Sequence, residues 1–326
     1  MANPSEGLVY AHCIGKDGQH ASLSDWTDVD AWEPNQGLLW IHLDANKDEA
    51  KHWLTDKSGL PPLIQEALWE SGSRPRSMAA QSEMLVILRG VNCNPGADPE
   101  DMVALRIFIT GQRIISVRRN RVMAVQDIHE KLISGAGPTS AGEFFAAVVD
   151  RITERIGNVV TDIEDRVDEI EDLMLASETE KVRPTLSELR RESISIRRYI
   201  APQRDMLSRL SHDRIDWISD EDRLLLVEAA ERTARYVEDI DAARERALIA
   251  QEELHSRLSE QMNRAMYTLS IVAAIFLPLS LITGLLGINV GGIPGTDSPL
   301  AFIIVTLLLL VIAVILVVWF RKIKWL

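Results

Sequence analysis

Hydrophobic positions along this chain change period three times, and each change marks a new region. Up to about residue 135 the apolar residues come in short, β-rich runs: Leu8–Ile14, Leu38–Asp44, Met84–Asn92, Met102–Thr110 and Arg113–Arg118. These predict strands. Asp48–Ser58, Pro61–Ser71 and Arg121–Ile133 read as helices, the second with proline in its first turn. The turn-rich segment Asn92–Pro99 predicts a hairpin link. Residues 1–135 are thus expected to form a cytoplasmic α/β domain.

After a small-residue linker, 135–142, the spacing lengthens to steps of three and four. Apolar residues at Val149, Ile152, Ile156, Val159, Ile163, Val167, Ile170 and Leu173 predict one long amphipathic helix. Pro184 is expected to open a second helix, carrying Leu186, Leu189, Ile196, Ile200, Leu207 and Leu210 and bent or interrupted near Pro202. Residues 143–213 then make an antiparallel pair. The first helix ends in seven acids: Asp162, Glu164, Asp165, Asp168, Glu169, Glu171 and Asp172. A solvated face, a cation-gathering surface and a regulatory metal site all fit them.

From Ser219 the helical pattern continues to Gly287, with no Pro or Gly between Asp220 and Leu277. At 1.5 Å per residue this is roughly 100 Å of helix. Residues 219–266 read as a cytoplasmic stalk, which must pack on copies of itself or on the preceding helix pair.

The third change is to no polar period at all. Residues 267–287 and 300–320 carry no charge, and each is about the length needed to cross a bilayer. They predict a transmembrane hairpin joined by a periplasmic loop, 288–299, and followed by a basic cytoplasmic tail, 321–326. Arg264 precedes the first span, whereas Arg321, Lys322 and Lys324 follow the second, which puts both chain ends in the cytoplasm. The first span carries Ser270, Pro278, Ser280, Thr283, Gly284 and Gly287. A simple anchor has no use for these, whereas a helix packed around a pathway tolerates them.

Composition narrows the function. The 48 acids against 35 bases give a net charge of −13, which argues against a nucleic-acid footprint and fits equally a cation-concentrating surface and a merely soluble acidic one. The N-terminus lacks the basic start and apolar core of a signal peptide, so the soluble part is expected in the cytosol. Cys13 and Cys93 are isolated, as in a reducing compartment. His12, His20, His42 and His52 are scattered and read as structural. No phosphate-binding loop or nucleophile elbow occurs, so no enzyme and no cofactor are expected.

Gly287-Ile288-Asn289, at the end of the first of two C-terminal spans, resembles the Gly-X-Asn signature of the CorA-type divalent-cation transporters. The basic ending Arg321-Lys-Ile-Lys-Trp-Leu326 is similar to that family's tail. Leu39–Asp44, Gly59–Pro62 leading into Ala67-Leu68, Arg74-Pro-Arg76, Arg89–Arg106 and Gly287–Gly295 resemble its zinc-transporting ZntB branch. The resemblance runs from about residue 7 to the end. It implies a homopentamer in the inner membrane with Zn2+ as the transported ion, and it raises proton coupling.

Two spans cannot enclose an ion path, so a transporter built this way must be an oligomer around an axis. Between Gln261 and Leu326 there is no His, Cys or Glu and one acid, Asp297. Zinc's tight-binding donors are therefore missing along the path, and the ion is expected to pass hydrated. Asn289 would offer amide carbonyls at the mouth, with Gly287, Gly291 and Gly292 allowing the turn; a helix C-cap is its other reading. A ring of helices predicts a pore-lining stripe of Asn263, Met266, Ser270, Ala273, Leu277, Ser280 and Gly284. Leu277 and Met266 would be hydrophobic constrictions on it. Groups for metal or proton handling are Asp297, Glu252, Glu253, His255 and Glu260. A CorA-like Mg2+/Co2+ channel and a membrane-tethered cytosolic sensor or scaffold are the competing readings.

Overall fold

The period-two runs become one seven-stranded sheet in the computed structural model, which describes residues 6–15, 19–176, 179–288, 295 and 298–322. Strands β1 (Leu8–Ile14), β2 (His20–Ser22), β3 (Leu38–Asp44), β4 (Arg76–Ala79), β5 (Glu83–Gly90), β6 (Val103–Thr110) and β7 (Arg113–Arg118) stand in the order β2-β1-β3-β7-β6-β5-β4. β3 and β7 pair in parallel, and the other neighbours pair antiparallel. The hairpin expected around Asn92–Pro99 joins β5 to β6, with Gly90 opposite Val103. β2 and β4 are short and largely exposed, and the sequence analysis missed both. Edge strands of three and four residues carry almost no hydrophobic period and exist because β1 and β5 supply their partners.

β3 reads Leu-Leu-Trp-Ile-His-Leu-Asp and is buried along nearly its whole length. Such a run needs cover on both faces. One face brings Ala11, Leu39, Ile41, Leu43, Phe108 and Val117 against Trp53, Leu54, Leu60 and Leu68. Those last residues lie on and around the helices that follow β3, α2 (Asp48–His52) and α3 (Pro62–Trp69); a short α1 (Trp26–Asp30) precedes β3. The opposite face is covered by α4 (Met123–Ile133) and by the start of α5 (Ala141–Leu175), whose Phe144 ring stands 4.8 Å from that of Trp40.

The Arg89–Arg106 segment turns out to be a structural lock. The Gln203 amide accepts from the Arg89 backbone N–H at 2.7 Å and donates to its carbonyl at 3.1 Å. The Arg89 guanidinium donates to the Ser73 and Met102 carbonyls and lies over the Tyr199 ring.

α5 opens on Ser140, whose hydroxyl accepts from Glu143 N–H at 3.1 Å. Its buried stripe is Val149, Ile152, Ile156, Val160, Ile163, Val167, Ile170 and Met174. Val159 and Leu173, expected on that stripe, are only half-buried; Val160 and Met174 take their places. α6 spans Thr179–Leu210. It starts five residues before Pro184 and runs on through Pro202, so neither the expected opening nor the interruption occurs. Apolar burial on both sides of Pro202, at Ile196, Ile200, Met206 and Leu207, explains this. Each such side chain contributes about 1.5–3 kcal/mol, against about 3 kcal/mol for the proline defect.

α7 spans Asp220–Leu286, 67 residues, and α8 spans Ala301–Lys322. Ser219 and Asp222 cap α7 reciprocally: the hydroxyl accepts from Asp222 N–H and the carboxylate from Ser219 N–H. The chain divides into two units, Met1–Gln251 and Glu252–Leu326. In the first, Leu226, Ala229, Thr233, Val237, Ile240, Ala243, Ala247 and Ala250 form a buried seam on α7. Gly142 and Gly157 of α5 permit the close approach: a Cβ at either would lie 2.3 Å from Asp222 Oδ2 or Tyr236 Oη. Ion pairs line the seam, joining Arg232 to Asp150, Arg197 to Asp241, and Arg246 to both Asp168 and Glu171. Part of the acidic cluster on α5 is therefore bound to α7, and Arg197 holds the Asp241 carboxyl below its usual range.

Candidate ion pathway

From Glu252 onward the character of α7 reverses. Met262, Met266, Leu269, Phe276, Leu277, Leu281 and Leu285 are all exposed, and on α8 so are Phe302, Leu307, Leu310 and Ile315. Both helices are long and apolar enough to cross a membrane. Exposed apolar surface on this scale belongs against lipid or against other copies.

Three hydroxyls of the α7 span bond back to their own helix. Thr268 donates to the Arg264 carbonyl at 2.9 Å, Ser270 to that of Met266 at 2.9 Å, and Thr283 to that of Leu279 at 3.1 Å. Each keeps its oxygen lone pairs facing outward, as acceptors and not donors. Pro278 sits inside the helix and supplies no N–H to the Ala274 carbonyl.

Of the seven stripe positions, Asn263, Met266, Ser270, Leu277, Ser280 and Gly284 are exposed and Ala273 is half-buried. At 100° per residue they centre about 165° around the helix from Ile271, Ile275, Leu279 and Ile282, the face the chain shelters. Ile271 is 7% exposed, whereas Phe276 is 60% exposed and lies between the two faces. Nothing lies within 4 Å of where a Cβ on Gly284 would stand. Its smallness therefore answers to no neighbour among the described residues. Gly287 ends the helix, donating to the Thr283 carbonyl at 2.9 Å, and Ile288 follows it exposed. Asn289, Gly291, Gly292 and Asp297 lie outside the described residues.

Glu252, Glu253, His255 and Glu260 are exposed on the same helix; Glu253 pairs with Arg257 and Glu260 with Arg264, one turn on. Among the described residues no three His, Cys, Asp or Glu side chains come together as a metal centre. Between Arg264 and Arg321 the sole charged residue is Asp297. The arrangement can thus pass a cation between neutral oxygens and apolar side chains but cannot hold one tightly.

A different assembly, not legible along the chain, lies in the N-terminal unit. On the sheet face beneath α4, His12, His42 and His129 gather around Tyr10, with His20 beside His12. The expectation that these histidines are scattered does not hold in three dimensions. Alternation within β1 and β3 puts His12 and His42 on one face, but only strand pairing makes them neighbours.

Known proteins resemble this chain along nearly its whole length. The family described as CorA-like Mg2+ transporter protein matches residues 35–322. The divalent cation transporter CmaX of Pseudomonas aeruginosa is 40% identical over 98% of this chain and 97% of its own. The zinc transport protein ZntB of Pectobacterium carotovorum is 34% identical over 98% and 96%. The solved structure of full-length CmaX matches all of both chains with a TM-score of 0.84 at 36% identity.

Proposed function

This chain belongs to the CorA-like family of divalent-cation transporters, and from that premise we propose that it is a Zn2+ transporter of the inner membrane, built as a homopentamer around the α7 span. The observation that carries the reading is the stripe itself. Small, hydroxyl and amide side chains face outward on the side opposite the sheltered face, with no charge and with open space at Gly284. Five copies turning that stripe to a common axis would enclose a neutral path for a hydrated ion. Met266 and Leu277 would narrow it and stop hydrated ions by dewetting until the ring widens. Asn289 would ring the outer mouth with amide carbonyls that accept hydrogen bonds from the ion's water shell. Asp297 would raise the local cation concentration, and the basic flanks keep both chain ends cytoplasmic. Any proton coupling would use groups outside the spans, with Glu252, Glu253, His255 and Glu260 the nearest on α7.

The ZntB relatives support zinc as the ion. A Mg2+/Co2+ channel is the second reading, favoured by the family's description and by a lining without imidazole, thiolate or carboxylate, which suits hard, hydrated cations. Family membership speaks against a mere tether. The deciding experiment is ion uptake into proteoliposomes, comparing Zn2+, Mg2+, Co2+ and Ni2+ for the wild type and for Asn289→Ala. Zinc flux that exceeds the others, and that falls at least about tenfold in correctly assembled Asn289→Ala, supports the proposal. Wild-type flux in that variant reduces Asn289 to a helix cap, and preference for Mg2+ selects the second reading.

A further inference from the structure

The histidines beneath α4 are not arranged as structural histidines are elsewhere in this chain. His52 and His212, both exposed, each place Nδ1 on a main-chain carbonyl one turn back. His12 is 1% exposed, yet its Nδ1 has no hydrogen-bond partner. A buried polar atom left unpaired is uncommon in a finished core. Its other nitrogen, Nε2, lies 2.9 Å from Nδ1 of His129, the two sharing one proton. His20 lies on the same sheet face, diagonal to His12 across the β1–β2 ladder, with ring centroids 5.9 Å apart. Tyr10 stacks on His129 at 3.6 Å and fixes the ring plane.

Three imidazoles from β1, β2 and α4 therefore come together on one sheet face. Two nitrogens bound to one tetrahedral zinc at its usual bond length stand about 3.3 Å apart. To admit such an ion in place of the shared proton, the His12–His129 pair must open by about 0.4 Å and both rings must turn, so that their lone pairs converge off the N···N line. His129 is half-buried and gives access from solvent, with the Glu130 carboxylate close enough to act on it. His42 belongs to a different environment: its Nδ1 engages the Ser116 hydroxyl at 2.8 Å, and the Arg118 cation acts on it.

We propose that His12, His129 and His20 form a binding site for one Zn2+-class cation in the N-terminal unit, separate from the pathway and joining α4 to the edge of the sheet. His12 Nε2 and His129 Nδ1 are its first two donors. His20 completes the set by a side-chain turn, since the described residues do not yet hold three donors at ligand distance. Imidazole donors select a borderline cation over Mg2+. The site therefore distinguishes ions that a neutral, hydrated path distinguishes poorly. It stands whether or not the pathway carries zinc.

The test uses full-length protein in detergent, stripped with a chelator and titrated with Co2+ as an optical stand-in for Zn2+. Saturable ligand-field bands at one ion per chain, displaced by Zn2+ and not by Mg2+, are expected. Far-UV circular dichroism shows whether each variant keeps its fold, and His129→Gln is the informative one because its side chain is half-exposed. His12→Gln and His129→Gln should abolish the bands, and His20→Gln should weaken binding about tenfold. Asn289→Ala should bind like the wild type, which separates this site from the mouth. Absence of saturable bands in the wild type, or wild-type bands in folded His129→Gln, overturns the site; unchanged affinity in His20→Gln overturns the three-histidine set.

Discussion

The two halves of α7 are one helix made under opposite rules. Residues 220–251 satisfy themselves inside their own chain: an alanine-rich seam, two glycines on α5 that let it approach, arginines paired to α5 and an aspartate paired to α6. Residues 252–286 bury almost nothing, and eleven of their exposed side chains are large and hydrophobic. Hydrophobic content alone does not separate a packed face from an unpaired one. The first half combines small residues with charges that find partners one helix away. The second combines large residues with hydroxyls that bond only their own helix.

This contrast can be broken at several points, the largest effect coming first. In a background lacking Cys13 and Cys93, single cysteines at 263, 266, 270, 273, 277, 280 and 284 should react with a small water-soluble thiol reagent. Cysteines at 271 and 282 should stay protected. Uniform protection would mean that the stripe meets lipid or protein all round and encloses no water.

In the self-sufficient half, Gly157→Val should destabilise the first unit by about 1–3 kcal/mol, because the new side chain meets the Tyr236 ring. A thermal melt followed by circular dichroism would register this as a lower midpoint. Gly284→Val should leave that midpoint unchanged while reducing flux; if it melts early instead, Gly284 serves packing within the chain.

The smallest effect belongs to Arg246. It bridges Asp168 and Glu171 at an exposed position, so Arg246→Met should cost below about 1 kcal/mol and lose its effect at high salt. A larger or salt-independent loss would show that the acidic end of α5 needs this arginine to fold.

How much the sequence revealed tracks the range of the interactions concerned. The strands β1, β3, β5, β6 and β7, the long helices and the uncharged spans are written in local periods. β2 and β4 have no period of their own. The course of α6 through Pro184 and Pro202 was misjudged because proline's penalty is local, whereas the apolar burial that outweighs it comes from neighbouring helices. His12, His20 and His129 look unrelated along the chain because a sheet edge and a helix more than a hundred residues on bring them together. The stripe on α7 could be laid out by counting steps of three and four. That Gly284 has open space beside it could not.

The back-bonded hydroxyls of α7 also bear on how the protein reaches its membrane. Thr268, Ser270 and Thr283, and Thr306 on α8, each spend their one proton on a carbonyl of the preceding turn. These four hydroxyls can therefore enter the bilayer already bonded, before any second subunit is present. For them insertion and assembly become separable events, and what they leave the spans to seek from sister copies is close packing.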